Sequence, residues 1–127
     1  MSPKVMVVDD SALSRRTMRR VLETAGYDVV EATDGIAALE MYFIERPEAV
    51  LLDLVMKGMY GLDVLAKLRE MDPNVRVVIV SADIQSSTRT LAKEGGAFAL
   101  INKPVTASEV IETLRTALEK EPLNGSH

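Results

Sequence analysis

Cysteine and tryptophan are both absent from this chain of 127 residues. Without cysteine there are no disulfides and no thiolate ligands for zinc or iron–sulfur centres, which fits a reducing compartment such as the cytoplasm. No apolar run approaches the roughly 20 residues that a membrane span needs. The only histidine, His127, follows Gly125-Ser126 at the end of the chain, and we interpret it as a tag or linker residue.

An excess of positive charge is lacking too. The net charge of −4 argues against nucleic acid as a direct partner. An apolar fraction of 47% excludes disorder, and the length suits one domain with a sizeable core. The first four residues lead directly into a strand-like run, so we expect no signal or transit peptide. We predict a cytoplasmic domain over residues 1–120, monomeric or weakly dimeric, with residues 121–127 as a tail or linker.

Five apolar strands alternate with five helices along the sequence. The apolar runs predict strands at residues 4–8, 28–31, 49–52, 76–80 and 97–101. Helical spacing predicts helices at residues 13–25, 36–43, 62–71, 84–94 and 107–120. We expect the first helix to be capped by Asp10 or Ser11, and its apolar stripe to run from Leu13 to Ala25. This alternation with short loops predicts an α/β fold with a parallel sheet and right-handed crossovers.

Polar side chains end four of these strands. Asp9 and Asp10 follow the first strand, Asp53 the third, Ser81 the fourth and Lys103 the fifth. Because parallel strands all end at the same edge of a sheet, these groups should share one crevice. Each is commonplace alone, as a strand terminus, helix cap or turn residue. Their conjunction indicates a functional site.

The chemistry of this set points to phosphoryl transfer. Carboxylates at close quarters repel one another, and Mg²⁺ relieves the repulsion, since it prefers oxygen ligands and coordinates phosphate. Asp53 needs no general base, because a carboxylate is already a nucleophile. Lys103 and Ser81 would neutralise and hydrogen-bond the oxygens of an incoming phosphoryl group. We therefore predict that Asp53 carries a phosphoryl group.

These motifs resemble the receiver domain of two-component response regulators over about residues 4 to 120. The stretches that carry the resemblance are Val7-Val8-Asp9-Asp10-Ser11, Leu51-Leu52-Asp53-Leu54-Val55-Met56 with Gly61, Val80-Ser81-Ala82, and Asn102-Lys103-Pro104. The resemblance implies a flavodoxin-like, doubly wound (βα)5 fold with strand order 2-1-3-4-5 and helices on both faces.

The resemblance also implies a phosphorylation-dependent switch. Asp53 would accept a phosphoryl group from a sensor histidine kinase or a phosphotransfer protein. Mg²⁺ would be held by Asp10, Asp53 and the backbone carbonyl of Val55, with Asp9 acting through water. Ser81 would be the switch hydroxyl and Lys103 the phosphate-binding cation, with a cis peptide bond before Pro104. A target or output domain would read the face of the fourth helix, fifth strand and fifth helix, and no separate substrate would be turned over.

Three features depart from the pattern of the family. Lys57 replaces the proline usual a few residues after the acceptor, so the loop is expected to be more mobile. Leu100 replaces the aromatic usual in the fifth strand, while Phe98 lies two residues earlier, on the same face if the strand alternates regularly. Val55 and Asp83 flank the acceptor, and we expect the lifetime of the phosphoryl group to depend on these two side chains.

Three alternative functions make different demands on the sequence. A flavodoxin-like electron carrier would need a phosphate-cradling loop rich in Ser, Thr and Gly after the first strand, and aromatics for the flavin. An aspartyl-phosphate hydrolase would need its nucleophile near the first strand and a substrate cap. A pseudo-receiver, which binds a partner without phosphorylation, stays open because of Lys57 and Leu100.

Overall fold

The computed structural model of the protein describes residues 2–82 and 84–119. The strands are β1 (Lys4–Val8), β2 (Asp28–Ala32), β3 (Ala49–Leu52), β4 (Val77–Ser81) and β5 (Ala99–Asn102). The helices are α1 (Ala12–Thr24), α2 (Gly35–Glu45), α3 (Gly61–Met71), α4 (Ser86–Glu94) and α5 (Ala107–Glu119). The strands pair in parallel in the order β2-β1-β3-β4-β5. The predicted flavodoxin-like (βα)5 fold is confirmed.

Helices cover both faces of the sheet, which is why the central strands read as unbroken apolar runs. Every residue of β3 and β4 is buried. One apolar cluster joins the sheet to α2, α3 and α4, and contains Met6, Leu52 and Leu68. The second joins the opposite face to α1 and α5 through Leu22 and Leu114. The site lies where these packed strands end.

The beginning of α1 differs from the sequence prediction. Met18 and Leu22, one turn apart, are the buried residues of the helix, whereas Leu13 is 70% exposed and Ala25 is exposed. Leu13 lies in the first turn, where it lines a cleft beside the strand ends and does not pack under the helix. Ser11, and not Asp10, is the N-cap, since its side chain accepts a hydrogen bond from the Ser14 N–H at 3.2 Å.

Two boundaries near the fourth helix also shift. α4 begins at Ser86, two residues later than predicted, because Gln85 has an extended backbone with ψ of 164°. β5 begins at Ala99, so Phe98 precedes the strand. Within the described residues, no helix is long and apolar enough to cross a bilayer. The predicted end of the domain at residue 120, the tail at residues 121–127 and His127 lie outside the described residues.

Candidate functional site

The sheet brings together Asp9, Asp53, Ser81 and Lys103, as predicted. Val8 pairs with Leu52, so the residues that follow them, Asp9 and Asp53, stand side by side at the ends of β1 and β3. Ser81 pairs with Asn102, which places Lys103 beside the end of β4. Asp9, Asp53 and Ser81 are the buried polar residues among those described. Their proximity follows from the parallel register of the strands.

Asp53 is held by contacts to both of its carboxylate oxygens. Its Oδ1 accepts hydrogen bonds from the Ser81 hydroxyl at 3.0 Å and from the Val55 N–H at 3.1 Å. Its Oδ2 accepts from the Lys103 ammonium at 3.1 Å. Each oxygen has two lone pairs, so Oδ2 keeps acceptor capacity. The carboxylate is therefore fixed in orientation and still has an oxygen lone pair to offer.

Lys103 lies between two acidic side chains. Its Nζ donates to Asp9 Oδ2 at 2.8 Å as well as to Asp53. Burial alone would lower the pKa of Lys103, but the hydrogen bonds to the two carboxylates outweigh burial and raise the pKa. The ammonium is thus held in its charged form beside Asp53. The peptide bond between Lys103 and Pro104 is cis, as the resemblance implies.

Asp10 stands apart from this cluster. It is exposed, and its Oδ2 accepts a hydrogen bond at 3.2 Å from the backbone N–H of Lys57 in the β3–α3 loop. Among residues 2–82 and 84–119, no three acidic or histidine side chains are spaced to hold a metal ion as they stand. The sequence predicts that Asp9, Asp10 and Asp53 lie close together. In the structure only Asp9 and Asp53 share the Lys103 ammonium, and Asp10 accepts from the loop.

The donor set nevertheless suits Mg²⁺ in its chemistry. Asp9, Asp10 and Asp53 provide carboxylate oxygens at one edge of the sheet, and these are the hard ligands that this cation prefers. The backbone of Val55 lies beside Asp53, since its N–H donates to that carboxylate. An incomplete protein shell also suits an ion that keeps several waters. Of the oxygens of Asp10, Oδ2 is engaged by the Lys57 N–H in this structure.

Gly61 allows α3 to begin directly against the end of β3. A Cβ at this position would lie 2.5 Å from Leu54 Cα and 2.7 Å from the Asp53 carbonyl oxygen. The Gly61 N–H also donates to the Leu54 carbonyl at 2.9 Å. Only glycine fits this close approach. The contact fixes the backbone at Asp53.

Arg15 is a residue of the site that sequence reasoning missed. Its Nη1 donates to the backbone carbonyl of Asp9 at 2.8 Å, and its Nε donates to Glu31 Oε1 at 2.9 Å. Arg19 contacts the other oxygen of Glu31 at 2.5 Å. The arginines of α1 are evident in the sequence, but which of them faces the site depends on the rotation of the helix.

An apolar cleft of about 250 Å³ opens beside Asp53. Its walls come from α1 and from the segment after β5, and include Leu13, Thr17 and Val105. Asp53 and Lys103 line the same cleft. The carboxylate is therefore buried in the fold and approached from one side by a passage to the surface.

Several positions at which the sequence departs from the receiver pattern lie near the site or in β5. Val55 is 67% exposed beside Asp53. Leu100 packs against the apolar cluster next to α2, α3 and α4, whereas Phe98 precedes β5 and is exposed. That the two share a face stays a prediction. Asp83 lies outside the described residues, and the effect of these side chains on phosphoryl lifetime stays a prediction.

Curated relatives match nearly the whole chain. The chemotaxis protein CheY of Thermotoga maritima is 36% identical over 115 residues, which is 90% of this chain and 96% of that protein. The response regulator MprA of Mycobacterium ulcerans is 34% identical over 123 residues, which is 97% of this chain but 53% of MprA. The chain thus matches a protein of its own size and also about half of a longer regulator.

Solved structures share the fold. The CheX–CheY–BeF3–Mg²⁺ complex of Borrelia burgdorferi includes a chain that superposes with a TM-score of 0.89 at 26% identity, covering 93% of this chain and 90% of that one. A model of the response regulator receiver domain matches residues 5–115. The chain therefore belongs to the response regulator receiver domain family, whose members act in phosphorylation-dependent two-component signalling.

Proposed function

We propose that Asp53 is the phosphoacceptor of a signalling switch. The observation that carries the proposal is the set of contacts around Asp53, a buried carboxylate with a hydroxyl on one oxygen and an ammonium on the other. The donor is a phosphohistidine on a sensor histidine kinase or phosphotransfer protein. A carboxylate oxygen of Asp53 forms a bond to phosphorus while the bond from phosphorus to the imidazole nitrogen breaks, and the imidazole leaves.

Lys103 and Ser81 are suited to stabilise the transferred group. The charge of a transferring phosphoryl group is spread over three oxygens, and catalysis consists mainly of positioning and charge neutralisation. Lys103 already contacts the acceptor oxygen, and Ser81 already donates to its neighbour. Both need only small movements to reach phosphoryl oxygens.

Mg²⁺ is part of the proposal, with Asp10, Asp53 and the Val55 carbonyl as ligands and Asp9 acting through water. Bound there, it would supply positive charge to the phosphoryl oxygens and relieve repulsion between them and the carboxylates. CheY of Borrelia burgdorferi, which shares the fold, has been solved in a complex with CheX, BeF3 and Mg²⁺. The chain's own residues orient Asp53 and form the apolar cleft, lined in part by α1, that leads to it.

The output of the switch is a change in the face formed by α4, β5 and α5. A phosphoryl group adds about −1.5 to −2 charge. Ser81 and Lys103 would close on it. Ser81 ends β4, the strand before α4, and Lys103 directly follows β5. Ala92 is the buried residue of α4, while Leu91 is 54% exposed. So few buried contacts suit an element with a small free-energy gap between two positions.

The energies are of the right size for such a switch. Moving a population from 1:99 to 99:1 takes about 5.5 kcal/mol of differential stabilisation. Two or three charge-assisted contacts at about 1.5–3 kcal/mol each come close to this. A target protein or output domain then reads the altered face. The domain turns over no separate substrate. It acts in the cytoplasm, a reducing compartment in which proteins rarely depend on disulfides, and the chain has no cysteine.

Labelling with a small phosphodonor in Mg²⁺ tests the proposal. Asp53→Asn removes the nucleophilic carboxylate with little change in shape, so we expect labelling to be abolished, measured by intact mass. Asp63→Asn is the matched control, since Asp63 is an exposed acid in the first turn of α3. Labelling that persists in Asp53→Asn, or that is lost in both variants, would falsify the assignment.

A further inference from the structure

The β3–α3 loop has Lys57 at the position where the resemblance to receiver domains predicts a proline. A proline at this position would carry no backbone N–H. Lys57 has one, and it donates to Asp10 Oδ2 at 3.2 Å, joining residues 47 positions apart in the chain. Since Asp10 follows β1, this bond ties the loop after β3 to the end of β1.

The bond competes with metal binding. The Lys103 ammonium contacts Asp9 and Asp53, while the Oδ2 of Asp10 faces the loop. Within the described ranges 2–82 and 84–119, no three acidic or histidine side chains are close enough together to hold a metal ion. One oxygen of Asp10 is therefore already engaged, and a cation that takes this oxygen has to displace the hydrogen bond from Lys57.

We propose that Lys57 is a positioning residue, whose N–H restrains Asp10, lowers the affinity of the site for Mg²⁺ and couples metal binding to movement of the loop. The inference rests on the proposed function, in which Asp10 and the Val55 carbonyl are metal ligands. Val55 belongs to the same loop, two residues before Lys57. Gly58 follows at φ of +87°, a conformation that glycine adopts without strain. Release of Asp10 therefore frees the segment that carries another ligand.

Two substitutions separate the N–H from the side chain. Lys57→Pro removes the N–H, and Lys57→Ala keeps it; both remove the ammonium. We expect Lys57→Pro to bind Mg²⁺ about threefold to tenfold more tightly than Lys57→Ala, which is the range for an exposed hydrogen bond of ordinary net strength. Amide chemical shifts followed through a Mg²⁺ titration give the two dissociation constants.

The same comparison in an Asp10→Ala background distinguishes the bond from the rigidity of proline. Asp10→Ala removes a proposed ligand and so weakens Mg²⁺ binding in both variants, but it also leaves no acceptor for the N–H, and the ratio of the two dissociation constants should therefore fall to one. If proline acted by stiffening the loop, the difference would persist in this background, and the inference would be wrong.

Amide hydrogen exchange tests the inference on the unaltered protein, whether or not the proline variant folds. The Lys57 amide should exchange faster when Mg²⁺ is saturating than when it is chelated. The Gly61 amide, which donates to the Leu54 carbonyl at 2.9 Å, is the internal control and should not change. An unchanged Lys57 amide would contradict the inference.

The outcomes also separate this inference from the proposed function. If Asp53 is labelled and the two Lys57 variants bind Mg²⁺ equally in the native background, the restraint is refuted and the phosphoacceptor stands. If the unaltered protein shows neither Mg²⁺ binding nor labelling, both fail.

Discussion

At the scale of single residues, Lys103 governs the electrostatics of the site. Its ammonium is shared by Asp9 and Asp53, two carboxylates that are 8% and 10% exposed in their side chains. Taking such groups out of water is costly unless a cation pairs with them. The same ammonium that we assign to phosphate binding therefore also stabilises the resting fold.

Replacing Lys103 should lower stability as well as switching. We expect Lys103→Met to cost about 1–2 kcal/mol of unfolding free energy, less than for a fully buried pair, because the lysine side chain keeps 25% exposure. Urea unfolding measures the loss, with Lys67→Met on the exposed face of α3 as the control. The cost should shrink in an Asp53→Asn background, where one carboxylate is gone. Equal costs for Lys103→Met and Lys67→Met would contradict this reading.

At the scale of elements, an ion-pair network fastens α1 to the edge strand β2. Glu31 lies on β2 and accepts from Arg15 and Arg19 of α1. The hydrogen bond from Arg19, assisted by the one from Arg15, lowers the pKa of Glu31 against the opposing effect of burial. Because Arg15 also donates to the Asp9 carbonyl, the network extends to the backbone of the site.

The stabilisation from this network should depend on pH. Since the folded-state pKa of Glu31 lies below its ordinary value of 4.5, its contribution is complete above that value and is lost as pH falls through the lowered pKa. We expect Glu31→Gln to cost about 1 kcal/mol at pH 7, a modest amount because the groups are partly exposed. In urea unfolding, the difference in unfolding free energy from the unaltered protein should shrink as pH falls below 4.5 and through the lowered pKa. Glu70→Gln, on the exposed face of α3, should show no such trend.

At the scale of the whole molecule, ligand binding at one edge of the sheet should stabilise the entire domain. Strands β1, β3, β4 and β5 all end at that edge, and each contributes to the buried core. A ligand that binds only the folded state adds its binding free energy to that of folding. We therefore expect the site and the core to unfold together.

Beryllium fluoride with Mg²⁺, as a phosphoryl mimic, should raise the melting temperature. At 100 times the dissociation constant the stabilisation is about 2.7 kcal/mol, which for a chain of this length is roughly 10 °C. Differential scanning calorimetry measures the shift. Asp53→Asn should show little or none of it, and an equal rise in that variant would place the ligand elsewhere.

Much of this site could be predicted from the sequence, because its main residues directly follow strands. Asp9, Asp53, Ser81 and Lys103 end apolar runs, and the common edge of a parallel sheet brings them together whatever the details of the loops. Asp10 and Leu13 show where this reasoning stops. Their environments depend on the path of the β3–α3 loop and on the rotation of α1, which local patterns do not encode.

The sequence by itself determined the strands, their alternation with helices and the identity of the groups at the strand ends, because unbroken apolar runs and helical spacing are local properties of the chain. The tertiary structure alone decided the contacts. It decided that Asp9 and Asp53 share Lys103, that Arg15 donates to the Asp9 carbonyl, and that the Lys57 N–H donates to the Asp10 carboxylate. Hydrogen bonds are directional and short, so they depend on how distant segments are oriented in space, and that orientation exists only in the packed fold.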